Sequence, residues 1–262
     1  MASYLTFQLY GPLQSWGGVA VGEVRPTAAH PSRSGVLGLV AAALGLRRSE
    51  EERLAALEAG YEIMVRQDHP GSLLLDYHTV QAARSRRGRV YRCRRDELRD
   101  QVDPVDDLAT ILSRREYLAD ALFTACMWPR PGNPPAAPWS LDDLAAALAR
   151  PRFTPYLGRK GCPPGLPFGP RVGEHPDWEA ALAAHALDPL ARKLWDRTPD
   201  SVRVFGDAAV AAGGAGEEFR VRDAVARHGR RQFAQRIEYA HAAAPAAVRQ
   251  EERHDVPEQA EA

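Results

Sequence analysis

The chain is predicted to be an α+β protein built on a ferredoxin-like domain, with the strand, helix, strand, strand, helix, strand order that RRM domains use. Three stretches carry that expectation. Residues 4–10 alternate Leu5, Phe7 and Leu9 with Thr6 and Gln8, the two-residue period of a half-buried strand. Residues 35–46 are apolar almost all round, as a largely buried helix requires. Ser140-Leu141-Asp142-Asp143 caps a second helix whose Leu141, Leu144 and Leu148 share one face, and Pro151 stops it.

The remaining elements follow in order. Gly45 and the pair Arg47-Arg48 mark the end of the first helix, with cations at its negative pole. Ser49-Glu50-Glu51-Glu52 reads as a capping box for a short helix with Leu54 and Leu57 inward, and residues 61–66 return to strand period. Residues 73–80 form a further extended segment. Residues 117–128 read as one long central strand, apolar on both faces. After a loop at 163–176 comes a short helix at 178–187, and residues 202–205, 218–222 and 231–237 supply the strands of a small β-rich appendage. The expected organisation is therefore a ferredoxin-like domain at 1–160 with an arm inserted at about 81–113, a β-rich C-terminal domain at 161–240, and a disordered tail at 241–262.

Composition narrows the function classes. With 262 residues, 45% of them hydrophobic, the chain can bury a sizeable core, but its formal net charge of zero gives no bulk attraction to nucleic acid. Any electrostatic footprint must come from clustering. Basic residues are arginine throughout except Lys160 and Lys193, and eight arginines fall between positions 84 and 99, interleaved with Tyr91. That run is either a solvated loop or an RNA-facing arm that neutralises phosphate and stacks on bases. Cys93, Cys126 and Cys162 form no C-x-x-C pair and fit a reducing compartment. No apolar run is long enough to cross a membrane, so the chain is expected to be soluble and cytoplasmic.

Two stretches offer binding chemistry. In the first, Gly11-Pro12-Leu13-Gln14-Ser15-Trp16-Gly17-Gly18 leads through Arg25 to Ser32-Arg33-Ser34-Gly35, where a helix N-terminus, two hydroxyls and two cations suit a phosphate. Its spacing matches neither the P-loop nor the dinucleotide fingerprint. In the second, Phe153, Tyr156, Arg159 and Lys160 stand among glycines and prolines, suited either to clamping a nucleic-acid backbone or to a charged turn in water. The eight histidines form no ligand pattern with cysteine or glutamate, and no G-x-S-x-G elbow is present, so metal binding and serine hydrolysis have no support. Metal-free RNA cleavage stays open through His78 or Tyr77, as general base or acid on a ribose hydroxyl.

Taken together, G-P-L-Q-S-W-G from Gly11, R-P-T from Arg25, P-S-R-S-G-V-L-G-L from Pro31, D-Y-H-T-V from Asp76, R-R-E-Y-L-A-D-A from Arg114 and P-R-F-T-P-Y-L-G-R-K from Pro151 resemble the CasD family. This family caps the backbone of the type I-E CRISPR surveillance complex, Cascade, at the crRNA 5′ handle. The resemblance implies a RAMP-superfamily ferredoxin-like fold and a non-catalytic RNA-binding subunit without metal or cofactor. Its partners would be the crRNA 5′ handle, the CasC backbone subunit, the large CasA subunit and, through the complex, target DNA. The residues it nominates for RNA binding are Gln14, Trp16, Arg25, Arg33, Ser34, Gly35, Tyr77, His78, Tyr156, Arg159 and Lys160, with Arg84 and Arg86 in the arm. Trp16, Tyr77 and Tyr156 are open to stacking or to packing. The rival expectation is an endoribonuclease that processes precursor crRNA.

Overall fold

The structure is a computed structural model that describes residues 1–18, 20, 22–83, 88, 90–99, 108–131, 137–193, 202–208, 216–227 and 232–243. In chain order its elements are β1 (Ala2–Tyr10), β2 (Leu13–Gln14), β3 (Trp16–Gly17), β4 (Val24–Arg25), β5 (Thr27–Ala28), α1 (Arg33–Leu44), α2 (Glu51–Gly60), β6 (Tyr61–His69) and β7 (Ser72–Ala83). There follow α3 (Arg94–Arg99), β8 (Leu108–Ala119), β9 (Leu122–Pro129), α4 (Leu141–Ala149), β10 (Arg171–His175), α5 (Trp178–Ala184), α6 (Pro189–Lys193), β11 (Val202–Gly206), β12 (Glu217–Arg227) and β13 (Gln232–Ala243). Among the described residues no helix is long and apolar enough to cross a membrane.

A seven-stranded antiparallel sheet in the order β10-β1-β9-β6-β11-β13-β12 is the frame. Leu5, Phe7 and Leu9 of β1 and Phe123, Ala125 and Met127 of β9 face a core closed by α1, α2 and α4. Val36, Leu39 and Val40 of α1, Leu54 and Leu57 of α2, and the predicted Leu141, Leu144 and Leu148 of α4 supply the helical side of it. The opposite face is also covered, which the alternation in β1 did not foretell. Tyr4, Met64, Cys126, Trp128 and Val204 pack there against Trp178 and Leu182 of α5. Thr6 and Gln8 are therefore buried, not solvated, and their polar groups are met: Thr6 Oγ1 lies 2.9 Å from His185 Nδ1, and Gln8 Nε2 donates to Pro167 O at 2.8 Å.

Other expectations change for local reasons. The strand expected at 117–128 is two strands, because Asp120 takes φ +54° and turns β8 out of the large sheet before β9 enters it. β8 instead pairs with β7 from Ser72↔Ala119 to Ala83↔Leu108, a long hairpin whose first strand starts before the arm expected at about 81–113. Ser49 does not cap α2. Glu50 holds that place, and its carboxylate accepts from Arg47 N at 2.7 Å. The sheet runs across the boundary expected at residue 160: β10 borders β1, and β11 borders β6. β13 extends to Ala243, three residues into the expected tail, while residues 244–262 lie outside the described part.

Candidate nucleic-acid interface

The start of α1 is built differently from the sequence expectation. Arg33 is only 6% exposed, and its side chain is spent inside the protein: Nε on Asp207 Oδ2 at 2.7 Å and Nη2 on the carbonyls of Glu58 and Tyr61 at 2.6 and 2.8 Å. Its backbone N–H donates to Asp223 Oδ2 at 2.8 Å. The anion expected at this helix N-terminus is thus the chain's own carboxylate. Ser32 caps the helix by accepting from Gly35 N at 3.2 Å, and Ser34 stays half-buried beside it. Gln14 and Trp16 are core residues. Gln14 Nε2 donates to Leu9 O and Ala121 O, and its Oε1 accepts from Trp16 Nε1 at 2.9 Å, which orders the turn after β1 and leaves neither side chain free for a base.

The exposed cations collect elsewhere, where β4 and the loop at 151–161 meet the β7–β8 hairpin. β4 runs parallel to β8 with Val24↔Arg114 and Arg25↔Arg115, while β7 places Tyr77 opposite Arg114 and Asp76 opposite Arg115. Opposed residues share a face. Arg25, Arg115 and Asp76 thus lie on one side, joined by His78 two places along β7, and Arg114 and Tyr77 on the other. Arg25, Arg114 and Lys160 are exposed, and Tyr77 is 60% exposed. Arg159 braces the junction: Nη2 donates to Arg25 O at 2.7 Å, Nη1 to Glu116 O at 3.3 Å, and its guanidinium lies 5.0 Å from the centre of the Tyr117 ring. The loop can lie this close because Gly158 takes φ +85°, and a Cβ there would stand 1.8 Å from Ser15 O.

Tyr156 belongs to the same loop but opens the other way, into a cavity of about 460 Å³ beside α1 that Trp16, Ser34 and Gly35 also line. The predicted residues thus divide into a cation cluster, a cavity wall and a buried frame. Arg84 and Arg86 lie outside the described residues. Nothing in the sequence around Arg114 and Arg115 marks them as binding residues; the register of β8 sets Arg115 beside Arg25 and Arg114 beside Tyr77.

A model of the CRISPR-associated protein (Cas_Cas5) family matches residues 4–240. The chain belongs to this family. Over 171 residues, 62% of this Cas5 chain and 68% of the relative, it is 38% identical to the CRISPR system Cascade subunit CasD of Escherichia coli (strain K12). It is also similar to a solved CRISPR RNA-guided surveillance complex chain, with TM-score 0.60 and 27% identity over 93% of this chain and 91% of that one. A second solved structure, described as the crystal structure of a Cas protein, gives TM-score 0.56 and 26% identity over 93% and 98% of the two chains.

The rival chemistry would sit on β7 of this Cas5 chain. His78 Nδ1 is 3.6 Å from Asp76 Oδ2, and Tyr77 points to the opposite face of β7. The imidazole has a carboxylate to orient it, whereas the phenol next to it in sequence faces away.

Proposed function

We propose that this Cas5 chain is a non-catalytic subunit of a type I-E Cascade complex, a crRNA-guided surveillance assembly, and that it binds the crRNA 5′ handle. In this reading it caps the row of CasC backbone subunits, contacts the large CasA subunit, meets target DNA only through the complex, and works in the cytoplasm. The strand order β10-β1-β9-β6, with α1 and α4 on one face, supports a ferredoxin-like RAMP core. The observation that carries the RNA reading is the gathering of Arg25 and Arg115 on one face of the β7–β8 hairpin, next to the loop that carries Arg159 and the exposed Lys160, with Arg114 and the exposed Tyr77 on the other face, on a chain with no net charge to draw nucleic acid by itself. An irregular single strand is gripped by phosphate contacts and by bases splayed onto aromatic faces.

The test is a labelled crRNA with its own 5′ handle, incubated with the purified chain and backbone subunit across a salt series and run on native and denaturing gels. Intact RNA bound in a handle-dependent, steeply salt-dependent way is the expected result. The His78–Asp76 pair favours the second reading, metal-free cleavage of precursor crRNA. Shortened RNA that His78→Ala abolishes would replace the scaffold with the nuclease, and binding indifferent to the handle would leave a protein adaptor.

A further inference from the structure

The C-terminal hairpin β12–β13 lies across the first turn of α1, held by a network of half-buried and buried charges. Arg236 reaches Asp223 through Nε and Nη2, Glu238 Oε1 through Nη2 at 2.8 Å, and Asp207 Oδ1 through Nη1 at 3.2 Å. Asp207 and Asp223 are the same carboxylates that hold the side chain and backbone of Arg33. Val225 N adds a bond to Glu58 Oε1 at 2.9 Å. With so many partners shared, the hairpin's distance from the helix is fixed.

Beside this lattice the 460 Å³ cavity is bounded by Phe233 of β13 on one wall and by Phe153 and Tyr156 of the 151–161 loop on another. A second cavity of about 350 Å³ shares Gly17, Ser34 and Phe233 with it and ends at Arg222 and Asp223. Together they make one cleft in the range of ligand sites. The α1 side of it is open: a Cβ on Gly38 would meet nothing within 4 Å, whereas one on Gly35 would press on Trp16 Cε3 at 3.1 Å. Arg222 donates through Nε to Phe233 O at 3.0 Å, which sets its guanidinium at the rim. Asp223 would repel an anion there, but the two contacts from Arg236 offset its charge.

We propose that this cleft is a slot for one unpaired nucleobase of the bound RNA, resting on Phe233 and Tyr156 with its phosphate at Arg222, and that the Arg33–Asp207–Arg236–Asp223 lattice holds the slot at its width. The proposal rests on the RNA-binding reading above. A base is flat, apolar on its faces and anionic through its backbone, which matches aromatic walls ending at a cation. The loop that carries Tyr156 also carries Lys160, so a strand lying on the cation cluster has a route to the cleft.

The test uses the full chain and RNA with the repeat-derived 5′ segment, 4-thiouridine replacing one nucleotide at a time, followed by irradiation and mass spectrometry of the crosslinked peptides. One position is expected to crosslink to the peptide holding Tyr156 or Phe233. Gly38→Leu, which fills the cleft with a better helix former, should reduce that crosslink about tenfold while those to the cation cluster persist; Phe233→Leu is the second variant. RNA that binds without any crosslink in the cleft, or a crosslink indifferent to both variants, overturns the slot alone. Failure to bind any RNA overturns the RNA-binding reading, and the slot with it.

Discussion

Arg33 and Lys160 carry the same charge and face opposite fates. Arg33 meets two carboxylates and two carbonyls inside the fold, and Lys160 faces water on a loop. Removing a buried cation leaves its carboxylate partners uncompensated, at a cost of about 3–5 kcal/mol. Arg33→Ala is therefore expected to lower the urea midpoint markedly, while the slope of log affinity against log salt for handle RNA stays unchanged among the molecules that remain folded. Lys160→Ala should do the reverse. It should leave the midpoint in place and reduce the salt slope by about 0.7, the value of one phosphate contact to a single strand. A reduced slope for Arg33→Ala would return that residue to the phosphate.

At the scale of elements, α5 is attached to the second face of the sheet by buried polar groups as well as by the apolar contacts of Trp178 and Leu182. Arg66 of β6 donates to Asp68, to Thr124 and to Leu182 O of α5, and His185, which closes α5, meets Thr6 of β1. Burial, reinforced by the nearby charges of Arg66 and Arg171, pushes the His185 imidazole down to about 3. Its ordinary value is near 6.5, so below that pH the unfolded chain binds the proton that the folded one refuses. Stability should hold above pH 6.5 and fall as the pH drops toward 3. Between pH 6.5 and 4.5 this one group accounts for a loss of about 2–3 kcal/mol, which urea unfolding at the two pH values would measure. His185→Gln should flatten the dependence; an unchanged slope would place its cause in other groups. None of this attachment was legible beforehand. Thr6 and Gln8 carry the polar period of a strand with one wet face, and nothing local reveals that residues 167–188 return to cover it. Helices, by contrast, were readable where caps and apolar faces coincide, as at Ser140 with Leu141, Leu144 and Leu148. Of the candidate site, the sequence located the stretches but not their accessibility. Arg33, Gln14 and Trp16 look like ligands because polar and aromatic residues near glycines often are, and only the positions of Asp207, Asp223 and Ala121 show them to be occupied.

For the molecule as a whole, the question is whether the expected boundary at residue 160 separates two folding units. Its neighbourhood argues for one. The core on the second face joins Tyr4, Met64, Cys126 and Trp128 from before the boundary to Trp178 and Val204 after it. β11 supplies the hydrogen-bonding partner of β6, and Arg33 at the head of α1 is held by Asp207 through its side chain and by Asp223 through its backbone, both from beyond the boundary. Unfolding residues 161–243 alone would expose the edge of β6, open that core and strand a buried cation, so no half of the chain can come apart cheaply. A single urea transition is expected, coincident by amide circular dichroism and by tryptophan fluorescence, since Trp16 and Trp139 report on one face of the sheet and Trp128 and Trp178 on the other. Arg236→Ala, which removes the cation shared by Asp207, Asp223 and Glu238, should move that transition to lower urea without splitting it. Two separated transitions in the unmutated chain, with the Trp178 environment lost first, would mean that the C-terminal strands fold as a unit of their own and that the lattice is a contact between domains.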